Sequence, residues 1–296
     1  MRVTSSMMMR STLRDLSQGL SKLQESQTKL TTGKEITRPS ANPSATASAM
    51  NMRQDLRRAD QRLRSLNDAQ GWLQTADATL TSSLDSLARA KEIVVRAANT
   101  GAIGDPVARN ALAAEIRSIR SELLALGNSA YRERSIFNGT ANGGAYDAAG
   151  TYVGNGASII RDVAPSTSVA VNLTGPEIFG TAGAGAGDVF EVLDRLATAV
   201  SAGDNAAMAV EHINLDAATA RLGAATVEIG TRSARLEEAK SRAEDSKLLL
   251  TTQLSEVEDV DIVEALIRVK AQESSYQASL QVAAKILPLS LLDYLR

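Results

Sequence analysis

The residues able to do chemistry are few. The chain of 296 residues has no cysteine and a single histidine, His212. A disulfide framework, a thiolate metal site and a cysteine nucleophile are therefore excluded. As a proton-transfer or metal residue His212 would need carboxylate or histidine partners, and no second histidine exists, so it reads as a packed or partly exposed helical residue. Four acids, Glu256, Glu258, Asp259 and Asp261, crowd one short segment. They lack the glycine and closing glutamate of a calcium loop. Asp259 or Asp261 is expected to cap the following helix, with its neighbours solvated. The run Gly180–Gly187 (GTAGAGAG) stands before Asp188, where a helix should open. A glycine loop at such a place can hold phosphate. Here no phosphate-loop pattern is completed, no lysine follows and Asp188 would repel the anion, so a linker is expected. Asn138-Gly139-Thr140 and Asn172-Leu173-Thr174 match the glycosylation acceptor pattern, a signal of low specificity. No nucleophile elbow, triad order or zinc spacing occurs. The expectation is a protein that is not an enzyme, with no catalytic, metal-binding or cofactor-binding residue and no cofactor.

Charge is nearly balanced, 32 basic against 34 acidic residues, but unevenly placed. Residues 1–64 hold 12 Lys/Arg and 5 Asp/Glu. That stretch contains no aromatic residue on which bases could stack, so a nucleic-acid partner is not expected. A basic helix facing an acidic segment of the same chain explains the excess better. No apolar run reaches transmembrane length and the first residues carry no signal-peptide core, so no membrane partner and no cleaved signal are expected.

The elements that would position these residues are helices. Apolar residues recur at alternating steps of four and three, which lays them along one narrow helical seam. The first seam runs Met9, Leu13, Leu16, Leu20, Leu23, Gln27, Leu30 and stops at Thr32-Gly33. A proline-bearing loop, 33–43, follows, and Ser40 or Asn42 can cap the next helix at Pro43. A second seam continues without a break from Ala45 to Ala98, with Trp72 at its edge. Fifty-four residues of helix measure about 80 Å, more than one compact domain covers, so other long helices must lie alongside. Asp105-Pro106 opens a third seam, Leu112 to Ala130. Later seams run Val189–Val200, Met208–Val257 and Ile262, Leu266, Val269, Glu273, Tyr276, Leu280, Ala283, Leu287, with Pro288 ending or bending the last.

Residues 137–187 differ. They hold 11 of the 20 glycines, and short strands are expected at 151–153, 159–160 and 168–171. The fold class is therefore mainly α: a long antiparallel helical bundle or coiled coil formed by the N- and C-terminal segments, with a small β-rich inserted domain. The segments are 1–40 plus 260–296 as terminal coiled coil, 41–136 plus 188–259 as a helical rod, and 137–187 as an outer insert. A terminal helix with one thin seam buries too little to offset its ordering entropy. The two ends should be weakly ordered alone and fold against neighbouring subunits. The assembly residues would be Leu13, Leu16, Leu20, Leu23 and Leu30 at the N-terminal seam, and Ile262, Leu266, Val269, Tyr276, Leu280 and Leu287 at the C-terminal one.

Several segments carry a resemblance. Met1-Arg2-Val3-Thr4 with Met7–Met9, the loop Thr32-Gly33-Lys34-Glu35-Ile36-Thr37-Arg38-Pro39-Ser40-Ala41-Asn42-Pro43, and Asp68-Ala69-Gln70-Gly71-Trp72-Leu73 are three of them. Ser135-Ile136-Phe137-Asn138-Gly139-Thr140 and the ending Asp261–Ala265, Tyr276–Leu280 and Ser290–Leu295 complete the set. In this order they resemble the flagellar hook–filament junction proteins (hook-associated protein type 3) of the flagellin superfamily. Ala41-Asn42 stand where that family commonly has two aspartates. Arg89–Arg96 is similar in part to a flagellin segment recognised by innate immune receptors, an activity not carried over. The resemblance implies a structural protein of the bacterial flagellum, extracellular, exported by the type III export apparatus with an export chaperone. Its partners would be flagellin, the hook-side junction protein (hook-associated protein type 1) and itself in a ring. Flagellin proper, and further off a cytoplasmic coiled-coil scaffold, are the alternative readings.

Overall fold

The computed structural model describes residues 5–99, 105–164, 167–183 and 187–294. Among the described residues, seven helices and four short strands follow in the order α1 (Ser5–Thr32), α2 (Pro43–Asn99), α3 (Pro106–Gly127), β1 (Ala130–Tyr131), β2 (Arg134–Ser135), β3 (Ile160–Ala164), β4 (Thr167–Ala170), α4 (Gly175–Phe179), α5 (Val189–Ala202), α6 (Asn205–Glu258) and α7 (Ile262–Tyr294). The chain forms two compact units, Met1–Ala59 with Asp245–Arg296, and Asp60–Glu244.

The helix ends are set by local chemistry. Asn42 Oδ1 accepts from Ala45 N at 3.1 Å, with Pro43 in the first turn of α2. Asp105 accepts from Val107 N at 2.9 Å, Asp188 from Glu191 N at 2.8 Å and Asp204 from Ala206 N at 3.0 Å. Each satisfies an otherwise unpaired first-turn donor. Gly33 and Gly203, with φ of 68° and 73°, close α1 and α5 in the left-handed region that glycine enters without a steric penalty.

In the unit Asp60–Glu244 one core joins the helices to the intervening segment. Leu66, Leu73, Leu80 and Leu87 of α2, Ile116 and Leu123 of α3, and Leu215 and Leu222 of α6 are buried in it. So are Phe137, Tyr146, Ile178 and Phe179 from between the helices. The scarce aromatics are concentrated here. Tyr146 lies 4.9 Å from Phe190 and 5.6 Å from Phe179, both edge-on. Trp72 is likewise inside, edge-on to Tyr131 at 6.1 Å.

The β structure is slight. β1 pairs with β2, and β3 with β4, each antiparallel. Residues 151–153, expected as a strand, make only an isolated bridge between Tyr146 and Tyr152. α3 stops at Gly127, short of Ala130, because Ala130-Tyr131 enter the first hairpin. Its turn residues, Arg132 and Glu133, both have positive φ, 48° and 65°. This backbone matches the twist of a two-residue hairpin but is strained for side chains other than glycine. Arg132 is held there by Asp68 at 2.8 Å. α4 had no periodic signal: Thr174 and Glu177 fold it as a five-residue turn through a reciprocal cap. α7 does not end at Pro288 but continues to Tyr294.

In the unit Met1–Ala59 with Asp245–Arg296, α1 and α7 pack antiparallel. The C-terminal end of α1 lies near the start of α7, where Arg268 approaches Glu35, and further along Gly19 meets the Tyr276 ring. A Cβ at Gly19 would stand 3.4 Å from that ring, an ordinary van der Waals contact, so the two helices touch here.

Candidate assembly interface

The two terminal seams divide into an inward and an outward half. On α1, Leu23 is buried and Met9, Leu16 and Leu30 are half-buried, whereas Leu13 and Leu20 are exposed. On α7, Ala265, Val269 and Ala283 are buried and Tyr276 is half-buried. Ile262, Leu266 and Leu280 are exposed. Val263 and Ile267 extend that uncovered surface. The inner row of α7 thus keeps Val269 and Tyr276 of the expected seam but runs through Ala265 and Gln272 rather than Ile262 and Leu266. Leu287 lies on α7 with its side chain outside those described, and Met1–Thr4 and Leu295 lie outside the described residues.

The loop after α1 and the turn before α7 are clasped. Glu35 N donates to Glu258 O at 2.8 Å, and Val260 N to Gly33 O at 3.0 Å. Around this short ladder the charges interlock. Glu258 is buried, against the expectation of a solvated acid, because Arg53 and Lys34 both reach it. Lys34 Nζ also donates to Asp259 Oδ1 at 2.6 Å, and Asp259 Oδ2 accepts from Ser255 Oγ at 2.5 Å. The Lys34 contact and the Ser255 hydroxyl hold the Asp259 carboxyl below its ordinary range, while the Asp259 bond raises the Lys34 ammonium. Asp261, of the same acidic run, caps α7 by accepting from Val263 N at 2.9 Å. Glu258, Asp259 and Asp261 therefore pair with cations, a hydroxyl and backbone rather than with one another, and Glu256 is exposed. Among the described residues no group of histidines, cysteines and acids is placed to hold a metal.

The other chemically suggestive residues are structural. His212 Nε2 stands 4.0 Å from Asp216, whose carboxylate is engaged by Lys91 at 2.7 Å. Asn138 and Asn172 are buried, so neither sequon is open to a glycan. Asn172 accepts from Ile159 N at 2.6 Å and donates to Ala157 O at 3.1 Å, stitching the loop before β3 to the one after β4. Asp188 is also buried while capping α5, and burial raises its carboxyl above the usual range. In the described part of the glycine run, Arg221 stands against Gly180 and Arg195 against Gly187, but both are engaged: Arg221 donates to Phe179 O at 3.1 Å, and Arg195 pairs with Glu211 at 2.8 Å. No described helix is long and apolar enough to cross a membrane.

Long helices at both ends of the chain, paired with each other, and a small β-bearing segment built into a helical core define a mainly α protein of the flagellin type of architecture. Residues 3–142 match the bacterial flagellin N-terminal helical region, and residues 213–295 match the C-terminal helical region. Together the two regions take in most of the chain, which belongs to the flagellin family. The chain is 28% identical over 182 residues to the flagellar hook-associated protein 3 of Escherichia coli, an alignment spanning 60% of this chain and 57% of that protein. Its fold is similar to crystal structures of FlgL from Xanthomonas campestris and Bacillus cereus. The first has a TM-score of 0.61 at 18% identity, covering 69% of this chain and 99% of the other. The second has 0.60 at 20% identity, covering 69% and 99%.

Proposed function

We infer that this chain is a structural, non-enzymatic subunit of the bacterial flagellum, a hook–filament junction protein joining the hook-side junction protein to the flagellin filament. The observation that carries the reading is a paired set of terminal helices, each with half of its apolar seam uncovered, in a chain of this family whose Escherichia coli relative is a hook-associated protein. Exposed Leu13 and Leu20 with Ile262, Leu266 and Leu280 form the surface on which neighbouring subunits pack. Leu16, Leu23, Leu30, Val269 and Tyr276 hold the helix pair itself. Segments 1–40 and 260–296 gain their full packing on assembly, the rod segments 41–136 and 188–259 carry them, and 137–187 forms the outer part. The contact between subunits is heterologous, since an isologous one closes a dimer instead of propagating a ring. Before assembly the chain passes through the flagellar type III export apparatus, with a chaperone covering the C-terminal seam.

Immunogold labelling of sheared flagella tests this. Label confined to the hook–filament boundary, with unpolymerised flagellin released into the medium by cells lacking the protein, supports the junction role. Label along the whole filament would make the chain a flagellin, and a chain found only in the cytosol would make it a scaffold.

A further inference from the structure

Asparagine followed by glycine occurs three times, at Asn138-Gly139, Asn142-Gly143 and Asn155-Gly156, all between β2 and β3. In this dipeptide no Cβ shields the backbone nitrogen that follows the asparagine, so that nitrogen can reach the side-chain amide carbon. Whether it does depends on the freedom of the side chain, of the nitrogen and of the space around them.

The fold treats the three pairs differently. Asn138 is 1% exposed and its Nδ2 donates to Gly143 O at 3.0 Å. A Cβ at Gly139 would collide with the Asn155 backbone, so that pair is closed in. Asn155 is exposed but pinned: its Oδ1 accepts from Thr140 N at 2.8 Å and its Nδ2 donates to Thr140 Oγ1 at 3.0 Å. Asn142 is exposed, and among the described residues neither its side chain nor the Gly143 N–H makes a hydrogen bond. Gly143 has a φ of 95°, and a Cβ there would meet nothing within 4 Å. Side chain, nitrogen and surrounding space are free together only at Asn142.

We propose that Asn142 is a site of spontaneous deamidation, with water as the co-reactant. Gly143 N attacks Asn142 Cγ and a succinimide ring closes. The side-chain nitrogen leaves as ammonia, carrying away the proton that the Gly143 amide gives up. Water then opens the ring. Cleavage between Cγ and the Gly143 nitrogen leaves aspartate. Cleavage between the Asn142 main-chain carbonyl carbon and that nitrogen leaves isoaspartate, in which the chain continues through Cγ. In sum, an amide and water become a carboxylate and an ammonium ion, with no change of oxidation state.

Both products place a negative charge on the loop, but only isoaspartate lengthens the main chain, by one methylene just before Gly143. The Gly143 carbonyl is the acceptor for Asn138 Nδ2, and Asn138 Oδ1 is already buried without a partner. Displacing that carbonyl strips a buried amide of its remaining side-chain bond, a larger loss than at an exposed site. The loop tip is thereby coupled to the core, where Phe137 precedes Asn138. The reaction does not depend on the chain being a flagellar subunit.

Incubating the purified full-length chain at physiological temperature and mildly alkaline pH tests this. Trypsin releases all three pairs in one peptide, Ser135–Arg161, in which electron-transfer fragmentation locates the change and separates aspartate from isoaspartate. Conversion at Asn142 runs at least about tenfold faster than at Asn138 or Asn155, since each hydrogen bond broken there slows the reaction about fivefold. In urea the three rates converge. Equal rates in the folded chain, a faster Asn155, or folding that slows Asn142 tenfold relative to urea overturns the proposal. Asn142→Gln, a substitution on the exposed loop, abolishes the fast release of ammonia; its persistence overturns the proposal as well. Thermal melting reads the coupling to the core. The isoaspartate form melts about 2–4 °C below the fresh chain, whereas freshly prepared Asn142→Asp, with the charge but not the extra methylene, melts with it. An isoaspartate form as stable as the fresh chain overturns that coupling.

Discussion

Glu258→Ala is the most informative single perturbation of the terminal helix pair. The carboxylate accepts from Arg53 and Lys34, and its side chain is 6% exposed, while those of its partners are 50% and 42% exposed. Removing one partner of a fully buried pair costs about 3–5 kcal/mol, because the other is left charged and dry. Here both cations can turn to water, so that upper range does not apply. An exposed pair contributes about 0–1 kcal/mol, and a hydrogen bond to a charged group about 1.5–3 kcal/mol. With one buried acceptor and two half-exposed donors, a loss of about 1.5 kcal/mol follows. The effect should be local, since the Glu258 backbone carbonyl, which takes the Glu35 N–H, remains. Native-state hydrogen exchange resolves it segment by segment. Amides of α1 and of the first turns of α7 should exchange about tenfold faster, the equivalent of about 1.4 kcal/mol, with α3 unchanged. Glu258→Gln should fall between the two, as it keeps the shape and loses the charge. Unchanged exchange in α1, or an equal rise in α3, would refute the clasp as the local tie.

Further outcomes can be checked separately. Leu266→Asp or Leu280→Asp should leave circular dichroism and the unit Asp60–Glu244 intact but block assembly, as an exposed side chain matters only once a neighbour covers it; filaments capping normally on either mutant would count against the terminal seams. The clasp should also depend on pH. Asp259 has a lowered folded pKa, so its contribution is present above its ordinary value of 3.8 and is lost as pH falls through the lowered one, while Lys34, raised, contributes below 10.5 and loses this as pH rises through its folded value. Protection in α1, after correction for the intrinsic pH dependence of amide exchange, should therefore be flat between those limits, and Asp259→Asn should remove the acid limb. Asp188 has the opposite sign to Asp259: burial raises its folded pKa, so its contribution is greatest below 3.8 and declines as pH rises through the raised value. Asp188→Asn keeps the cap and should unfold at neutral pH no more easily than the native chain by thermal melting, whereas Asp188→Ala should cost about 1 kcal/mol. Gly71→Ala drives a Cβ to 2.5 Å from the Tyr131 hydroxyl and should lower the melting temperature.

The helices were legible because their signals are local and repeated. Three-and-four spacing marks α2 through most of its length, and Asn42, Asp105, Asp188 and Gly203 each stop or start a helix where a cap or a left-handed residue is required. What escaped depends on residues far apart in sequence. Nothing near Glu258 announces Arg53, 205 positions away, so a buried acid read as a solvated one. The inner row of α7 was legible only in part. The apolar spacing selects Val269 and Tyr276 together with Ile262, Leu266 and Leu280, while the inward row keeps Val269 and Tyr276, adds Ala265 and leaves the other three exposed. Asn138 and Asn172 looked like surface acceptors because a three-residue pattern carries no burial. Only their hydrogen bonds to loop backbone distinguish them.

That displacement of the α7 row bears on why the chain would assemble at all. Were the most apolar residues of α7 turned inward, the helix pair would be satisfied alone and little would drive it onto a neighbour. Instead Ile262, Val263, Leu266 and Ile267, with Leu13 and Leu20 opposite, remain at least two-fifths exposed. Full burial of such a side chain contributes about 1.5–3 kcal/mol, so covering the remainder offers about 1 kcal/mol for each. Six such residues supply about 6 kcal/mol per subunit, enough to favour a neighbour but spread over contacts that must all form together. One carboxylate clasp then holds the helix pair in place until that neighbour arrives, which is why Glu258→Ala and Leu266→Asp should fail differently, the first in the free chain and the second only on assembly.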